Sequence, residues 1–323
     1  MIEDGRHLQE EVIDLQSTKV LEQFQIAAEK EPKSIYPFSP VYHASYKGEE
    51  VIVKKTQKPL ERAEALARYT RFLQENGIYI VTPIKMNTNN QQELGDACYV
   101  VYPFIHGKAY TATHTQIYAS GCLLGHIHAL SPKGELFQLP EYDVYDFTNE
   151  EVEESVRAIT NHAKRNRVTF PITQLEEKLL SCVTKQSCLK ELSLPHVLTP
   201  HDYKANNLVF TPEPYLIDPD NAAKVPRVFD LALALLLFHN ELSSAPDHVF
   251  TLEQWKAFLS GYYQFVQLTE AEKRVWKMAL EHVFLDEVLW LMAEVPEDWE
   301  KPSQRQLFLS VVHLLLHSQA YEI

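Results

Sequence analysis

The sequence predicts an α+β protein in two lobes, a small antiparallel-sheet N-lobe over residues 1–104 and a large, mainly helical C-lobe over residues 105–323. Three observations predict it. Short strand-like segments separated by polar turns dominate the stretch from Val41 to Tyr102. Beyond Pro103-Phe-Ile-His-Gly107 the apolar residues recur at helical spacing. Five later segments then open with an S/T-x-x-E/Q capping pattern. The change of period marks a hinge near residues 103–108.

Taken in order, Leu8, Val12, Leu15, Leu21 and Phe24 place a helix within residues 8–30. Val41–Tyr46, a Lys47-Gly48 turn and Val51–Lys55 read as an antiparallel hairpin. Residues 60–75, ending before Asn76-Gly77, read as a helix with glycine in its C-cap region. Two further strands are predicted at Ile80–Met86 and Cys98–Tyr102, joined by a polar turn through Asn87–Gly95. Ile117, Leu124, Ile127 and Leu130 share one apolar helical face. The pairs Thr148/Glu151, Thr173/Glu176, Thr251/Gln254, Thr269/Glu272 and Ser303/Gln306 each predict a helix start. A strand pair within residues 207–217 is the one β interruption expected there.

With 323 residues, 45% of them hydrophobic and 11% aromatic, the chain can bury a sizeable core and does not have the composition of a disordered protein. A net charge of −14 argues against nucleic acid or an anionic membrane as the main partner. The longest fully apolar run, Leu231–Phe238, is too short to cross a bilayer, and Met1-Ile-Glu-Asp-Gly-Arg lacks the pattern of a signal peptide. Cys98, Cys122, Cys182 and Cys188 form no CxxC pair and read as reduced thiols. A cytoplasmic location is therefore expected.

The chemistry concentrates in Leu198-Thr-Pro-His-Asp-Tyr-Lys-Ala-Asn-Asn-Leu-Val-Phe210 and the following Tyr215-Leu-Ile-Asp218. Asp202 and Asn207 lie five apart on a loop entering an apolar strand, and Asp218 closes a second strand eleven residues later. Asp and Asn alone could be turn formers. Their order with the second carboxylate suits phosphoryl transfer, in which one acid orients a hydroxyl while an amide and the other acid hold Mg²⁺ against phosphates. Lys54 and Lys55 end a β-branched strand and must point to opposite faces, so one of them can meet phosphates.

With these elements in this order, the chain resembles the aminoglycoside phosphotransferase family, small-molecule kinases of protein-kinase-like fold that include choline and homoserine kinases. The matching features are His201-Asp202…Asn207, Ile217-Asp218 and Phe229-Asp-Leu-Ala232, within residues 35 to 240. The resemblance implies a catalytic base at Asp202, Mg²⁺ ligands at Asn207 and Asp218, and a structural Asp230. It favours Lys54 as the phosphate-facing lysine, with Glu64 as its carboxylate partner and Glu61 as the alternative. Tyr99-Val-Val-Tyr-Pro-Phe-Ile-His-Gly107 resembles the family's interlobe hinge, which implies that the Tyr102 carbonyl and the Phe104 N–H read an adenine. One departure is visible: the family's histidine two residues before the base is replaced by Pro200, and His201 stands next to Asp202 instead.

ATP as donor, with GTP as the alternative nucleotide, and Mg²⁺ are the cofactors so implied. The acceptor is expected to be a hydroxyl on a small, cationic molecule (an aminoglycoside-like antibiotic, an amino alcohol or a sugar). Acid-rich residues 141–154 and 281–300 read for the most part as solvated helix faces and first turns, while some of them, with Tyr142, Tyr145 and Trp290, suit such a cation. Neither GxGxxG nor GxxxxGK[ST] occurs. The expected phosphate-covering loop Pro37–Val41 carries no glycine, and Ser39 is its one candidate phosphate donor. The alternative is a kinase-fold nucleotide-binding or scaffold protein without activity. A protein kinase is disfavoured by the missing Asp-Phe-Gly and Ala-Pro-Glu elements.

Overall fold

The computed structural model describes residues 17–27, 32–36, 39–56, 58–95 and 97–323. They fall into two compact units. The first comprises the chain up to His106 together with Glu135–Leu139 and Tyr215–Asp220; the second holds the remainder. The expected helix over residues 8–30 lies partly outside the described residues; its described part, α1, covers residues 17–23.

The first unit is built on a four-stranded antiparallel sheet of β1 (Val41–Tyr46), β2 (Glu49–Thr56), β3 (Gln92–Leu94) and β4 (Ala97–Pro103), in the order β1-β2-β4-β3. The predicted hairpin forms, with Val41 opposite Lys54 and Tyr46 opposite Glu49. Its turn needs left-handed backbone at Lys47 and Gly48 (φ 53° and 86°), and glycine meets that demand without strain. Strand β4 is buried on both faces. Ala97, Tyr99 and Val101 pack with Val20, Leu21 and Phe24 of α1, whereas Cys98, Val100 and Tyr102 pack with Ala63 of helix α2 (Leu60–Glu75) and Val81.

Residues 80–86 are not the predicted strand. Pro83 removes a ladder donor, so only an isolated bridge from Ile80 to Leu216 and one bond from Ile84 N–H to the Val101 carbonyl (3.1 Å) form. The Asn90 side chain supplies the missing pairing, donating to the Val101 carbonyl (2.9 Å) and accepting from its N–H (2.8 Å). The strand that does pair there is β3, inside the stretch read as a turn.

The second unit is mainly helical: α3 (His114–Ala129), α4 (Asn149–Arg165), α5 (Ile172–Val183), α6 (Gln186–Glu191), α7 (Arg227–Leu237), α8 (Leu252–Tyr262), α9 (Glu270–Val283), α10 (Leu289–Glu294), α11 (Pro296–Glu300) and α12 (Pro302–Leu316). Strand β5 (His196–Thr199) pairs antiparallel with β8 (Ala223–Pro226). The expected strand pair appears as β6 (Leu208–Phe210) and β7 (Pro214–Leu216). Helix α7 is apolar nearly all round and buried from Val228 to Leu237, Asp230 included. Helices α3 and α8 cross on glycine: a Cβ on Gly261 would sit 2.1 Å from the Tyr118 carbonyl oxygen, and one on Gly121 2.0 Å from that of Phe258.

Of the predicted capping boxes, those at Thr148, Thr251 and Thr269 close in full. The other two do not form. Helix α5 starts behind Pro171 and α12 has Pro302 in its first turn, where proline's fixed φ begins the helix ahead of Thr173 and Ser303. A further box, Thr113 with Gln116, starts α3 and was not foreseen. All four cysteines are free; Cys98 and Cys182 are buried, Cys188 is exposed. No described helix is long and apolar enough to cross a membrane.

Candidate active site

In the first unit the β2 pleat puts Lys54 opposite Val100, on the α2 side of the sheet, with Lys55 on the other face. The Lys54 ammonium meets Asp218 Oδ1 at 2.5 Å and Asp220 Oδ2 at 3.1 Å. Burial alone would push the ammonium down, but the two carboxylates outweigh it and hold Lys54 above its ordinary value. Asp220 is raised, by burial first and by the nearby Asp218 charge, against the pull of Lys54.

The partner expected on α2 is thus corrected. Glu64 is not among the described ion pairs of Lys54, and Glu61 is exposed in the first turn of that helix. The ammonium goes to the Asp-Pro-Asp segment, because a buried carboxylate such as Asp220 needs a cation more than a partly solvated acid does. Sequence reasoning singled out Asp218 and missed Asp220; the i, i+2 repeat of acids flanking proline was the available signal.

The adenine-reading pair is also corrected. Phe104 N–H donates to the Glu50 carbonyl at 3.0 Å, extending the β2–β4 ladder. Antiparallel alternation then turns the Tyr102 backbone toward its partner Ile52, so both expected groups face β2. Pro103, one residue along, presents its carbonyl to the other side. Burial first, then Asp220 and Asp218, raise the Tyr102 phenol far above its usual range. The Ser39 hydroxyl donates to the Lys55 carbonyl of β2 at 3.4 Å; Pro37 and Phe38 of the same loop lie outside the described residues.

In the second unit β5 delivers the loop Pro200–Lys204, and a 3₁₀ turn (Ala205–Asn207) leads into β6. His201 and Asp202 both hold left-handed backbone, φ 55° and 46°. Asn207 Nδ2 donates to the Asp202 carbonyl at 3.0 Å, which commits its nitrogen and leaves Oδ1 as the acceptor end of the amide. Lys204 Nζ lies 3.2 Å from Asp202 Oδ2 and 2.8 Å from Glu241 Oε2. Burial works against the Lys204 charge, yet these two acids lift it well above the ordinary lysine range. A half-buried cation beside the expected base was not foreseen. Asp230, on α7, is 1% exposed and accepts from His128 Nε2 (2.8 Å), His201 Nδ1 (2.7 Å) and Thr199 Oγ1 (3.0 Å).

A model of the phosphotransferase enzyme family matches residues 38–297, most of the chain and every element just described. The chain belongs to that family. Its fold is the protein-kinase-like one. An amicoumacin kinase in complex with AMP-PNP, Ca²⁺ and Ami superposes with a TM-score of 0.64 at 16% identity, covering 96% of each chain. A spectinomycin phosphotransferase in complex with ADP and spectinomycin gives 0.63 at 18% identity, covering 95% of this chain and 98% of that one. The choline kinase LicA from Streptococcus pneumoniae gives 0.55 at 16% identity, covering 96% and 99%. No curated protein sequence matches the chain.

Several acids of the acid-rich stretches in this phosphotransferase serve structural contacts. Glu151 closes a capping box, Asp143 pairs with Lys190, Glu141 with Lys224, and Glu281 with Lys178 and Lys185. Asp286 differs. It sits with Glu287 on a π-helical turn, Phe284–Val288, and accepts the Tyr142 hydroxyl at 2.7 Å. Burial first, then the Glu287 charge, raise its carboxyl from 3.8 to about 6.

The native state therefore keeps a proton that the unfolded chain has already lost between those two values. Stability falls as pH rises through this window and stays lowered above it. Asp286→Asn is expected to stabilise the protein at pH 8 by up to about 3 kcal/mol, a gain that shrinks below pH 6. Urea melts of both proteins across pH 5–8 check this; a gain independent of pH contradicts it.

Proposed function

We propose that this phosphotransferase is an ATP- and Mg²⁺-dependent kinase that transfers the γ-phosphoryl group to a hydroxyl of a small, cationic molecule such as an amino alcohol, an amino sugar or an aminoglycoside. The observation that carries this reading is the convergence of Asp218 and Asp220 on the Lys54 ammonium, at 2.5 and 3.1 Å. Two carboxylates that already share one cation are hard oxygen donors of the kind Mg²⁺ takes, and the lysine between them is placed to meet phosphate oxygens. When bound, Mg²⁺ supplies charge neutralisation on the phosphates.

In this reading residues 1–104 bind the nucleotide, and residues 105–323 supply the base and the acceptor site. Asp202 accepts the proton of the attacking hydroxyl. Asn207 Oδ1, Asp218 and Asp220 are the oxygen donors that would hold the metal. Lys204, 3.2 Å from Asp202, adds a positive charge beside the reacting groups. The Pro103 carbonyl and the Ile105 N–H, one residue beyond the pair first expected, replace Tyr102 and Phe104 as adenine readers. Asp286 favours a cationic acceptor, since an acid held with a raised pKa gains by meeting an ammonium. Choline, the acceptor named for one of the similar structures, carries such a charge.

The test is thermal stabilisation by millimolar ATP with and without Mg²⁺. Binding at about 100 times Kd adds about 2.7 kcal/mol, so a melting shift of several degrees is expected with both and little with either alone. No shift with both overturns the reading.

A further inference from the structure

We infer that His201 is the positioning residue of the base loop, its side chain tying that loop to the buried Asp230 from the position directly before Asp202. The inference rests on the reading of Asp202 as the base. It accounts for an oddity of this chain, which has Pro200 where the resemblance leads one to expect the histidine.

Two consecutive non-glycine residues in left-handed backbone, His201 at φ 55° and Asp202 at φ 46°, cost free energy that local sequence does not return. Something outside the loop must hold them. The His201 amide has only a long contact, 3.4 Å to Thr199 Oγ1. Its imidazole is far better anchored, with Nδ1 2.7 Å from Asp230 Oδ1 and Nε2 3.6 Å from Glu287 Oε1.

Asp230 is itself buried and multiply bonded. Its second oxygen takes His128 of α3 and Thr199 at the end of β5, and His128 Nδ1 lies 2.8 Å from the Tyr262 hydroxyl of α8. Three of the Asp230 contacts therefore come from separate places, and His201 is the one on the base loop. The groups facing His201 are Asp230 on α7 and Glu287 on the π-helical turn, with Asp286 beside it. Burial works against the imidazolium, but the hydrogen bond to Asp230 and the nearby Glu287 carboxylate prevail and lift its pKa to about 10. The Asp230 carboxyl, for which burial is likewise outweighed by His128 and His201, stays well below the usual carboxylate range. The tie is ionic throughout the neutral range. Fixed this way, the loop holds Asp202 where Lys204 reaches its carboxylate and Asn207 caps its carbonyl.

Two replacements separate the tie from the backbone requirement. His201→Gly grants the left-handed conformation and removes the tie; His201→Asn tolerates that conformation and keeps an amide donor at the reach of Nδ1. In the full-length protein, kcat for phosphoryl transfer is expected to fall about 100-fold in His201→Gly, as for a misplaced catalytic group, with the KM for ATP little changed. His201→Asn is expected to stay within about tenfold of wild type, since it keeps the hydrogen bond and loses only its charge. Amide exchange over residues 200–207 should quicken in the Gly variant and remain slow in the Asn variant. Equal exchange and turnover in His201→Gly and wild type overturn the inference, as does failure of His201→Asn to rescue either. If wild type transfers no phosphate, the functional reading fails, and amide exchange still judges the tie by itself.

Discussion

Asp202→Ala is expected to lower turnover by about 10²–10⁴-fold, the range for losing a positioned general base, while the affinity for the Mg²⁺–nucleotide pair stays near wild type. The split follows from where the groups lie. Lys54, Asp218 and Asp220 belong to the first compact unit and are untouched by a change on the β5 loop. Lys204 keeps Glu241 at 2.8 Å, so the neighbouring ammonium is not left without a partner. Steady-state kinetics with nucleotide titrations provide the check. A parallel loss of nucleotide affinity would show that Asp202 holds the metal or the loop, and full activity would remove it from the mechanism.

Lys54→Met is the substitution with the largest expected effect on stability. It takes the ammonium from between two carboxylates, and Asp220 has a side chain only 16% exposed. Asp218, 41% exposed, is partly rescued by water and contributes little. Breaking a buried pair by removing one partner costs about 3–5 kcal/mol, so a loss of about 3 kcal/mol is expected at pH 8.

The cost must ease at lower pH. The Asp220 carboxyl is already raised by burial and by Asp218, and without Lys54 it rises further, so the native state takes up a proton as pH falls. Asp220→Asn in the Lys54→Met background should recover most of the stability at pH 8 and none of the nucleotide binding. Denaturant unfolding of the two variants at pH 5 and pH 8 measures this. A Lys54→Met protein as stable as wild type at pH 8 means the ion pair is worth nothing.

Local patterns were the legible part of this chain. The β1–β2 hairpin, helix α2 and the capping boxes at Thr148, Thr251 and Thr269 are set by residues within a few positions of one another, and they form as expected. What failed were choices between near-equal local alternatives. Proline moved the starts of α5 and α12 ahead of Thr173 and Ser303. Pro83 and the Asn90 side chain displaced a strand from residues 80–86 to Gln92–Leu94.

In the candidate site, Lys54, Asp202, Asn207 and Asp218 could be singled out because their order along the chain resembles that of a family. Which acids pair with Lys54 could not be read, since Asp218 lies 164 residues away and no local pattern links it to β2. The expected hinge pair, Tyr102 and Phe104, faces β2, because in an antiparallel ladder one residue reverses the direction of every backbone group. The His201–Asp230 contact spans 29 residues and depends on left-handed backbone that no residue type at those positions announces.

The central claim is that this chain moves the γ-phosphoryl group of ATP to a small hydroxyl acceptor. The most direct measurement incubates the purified protein with γ-labelled ATP, Mg²⁺ and a panel of amino alcohols, amino sugars and aminoglycosides, and follows label on the acceptor and release of ADP. The account predicts label on at least one amine-bearing acceptor, dependent on Mg²⁺ and lost in Asp202→Ala. Binding of nucleotide without acceptor-dependent ADP release across the whole panel would contradict it.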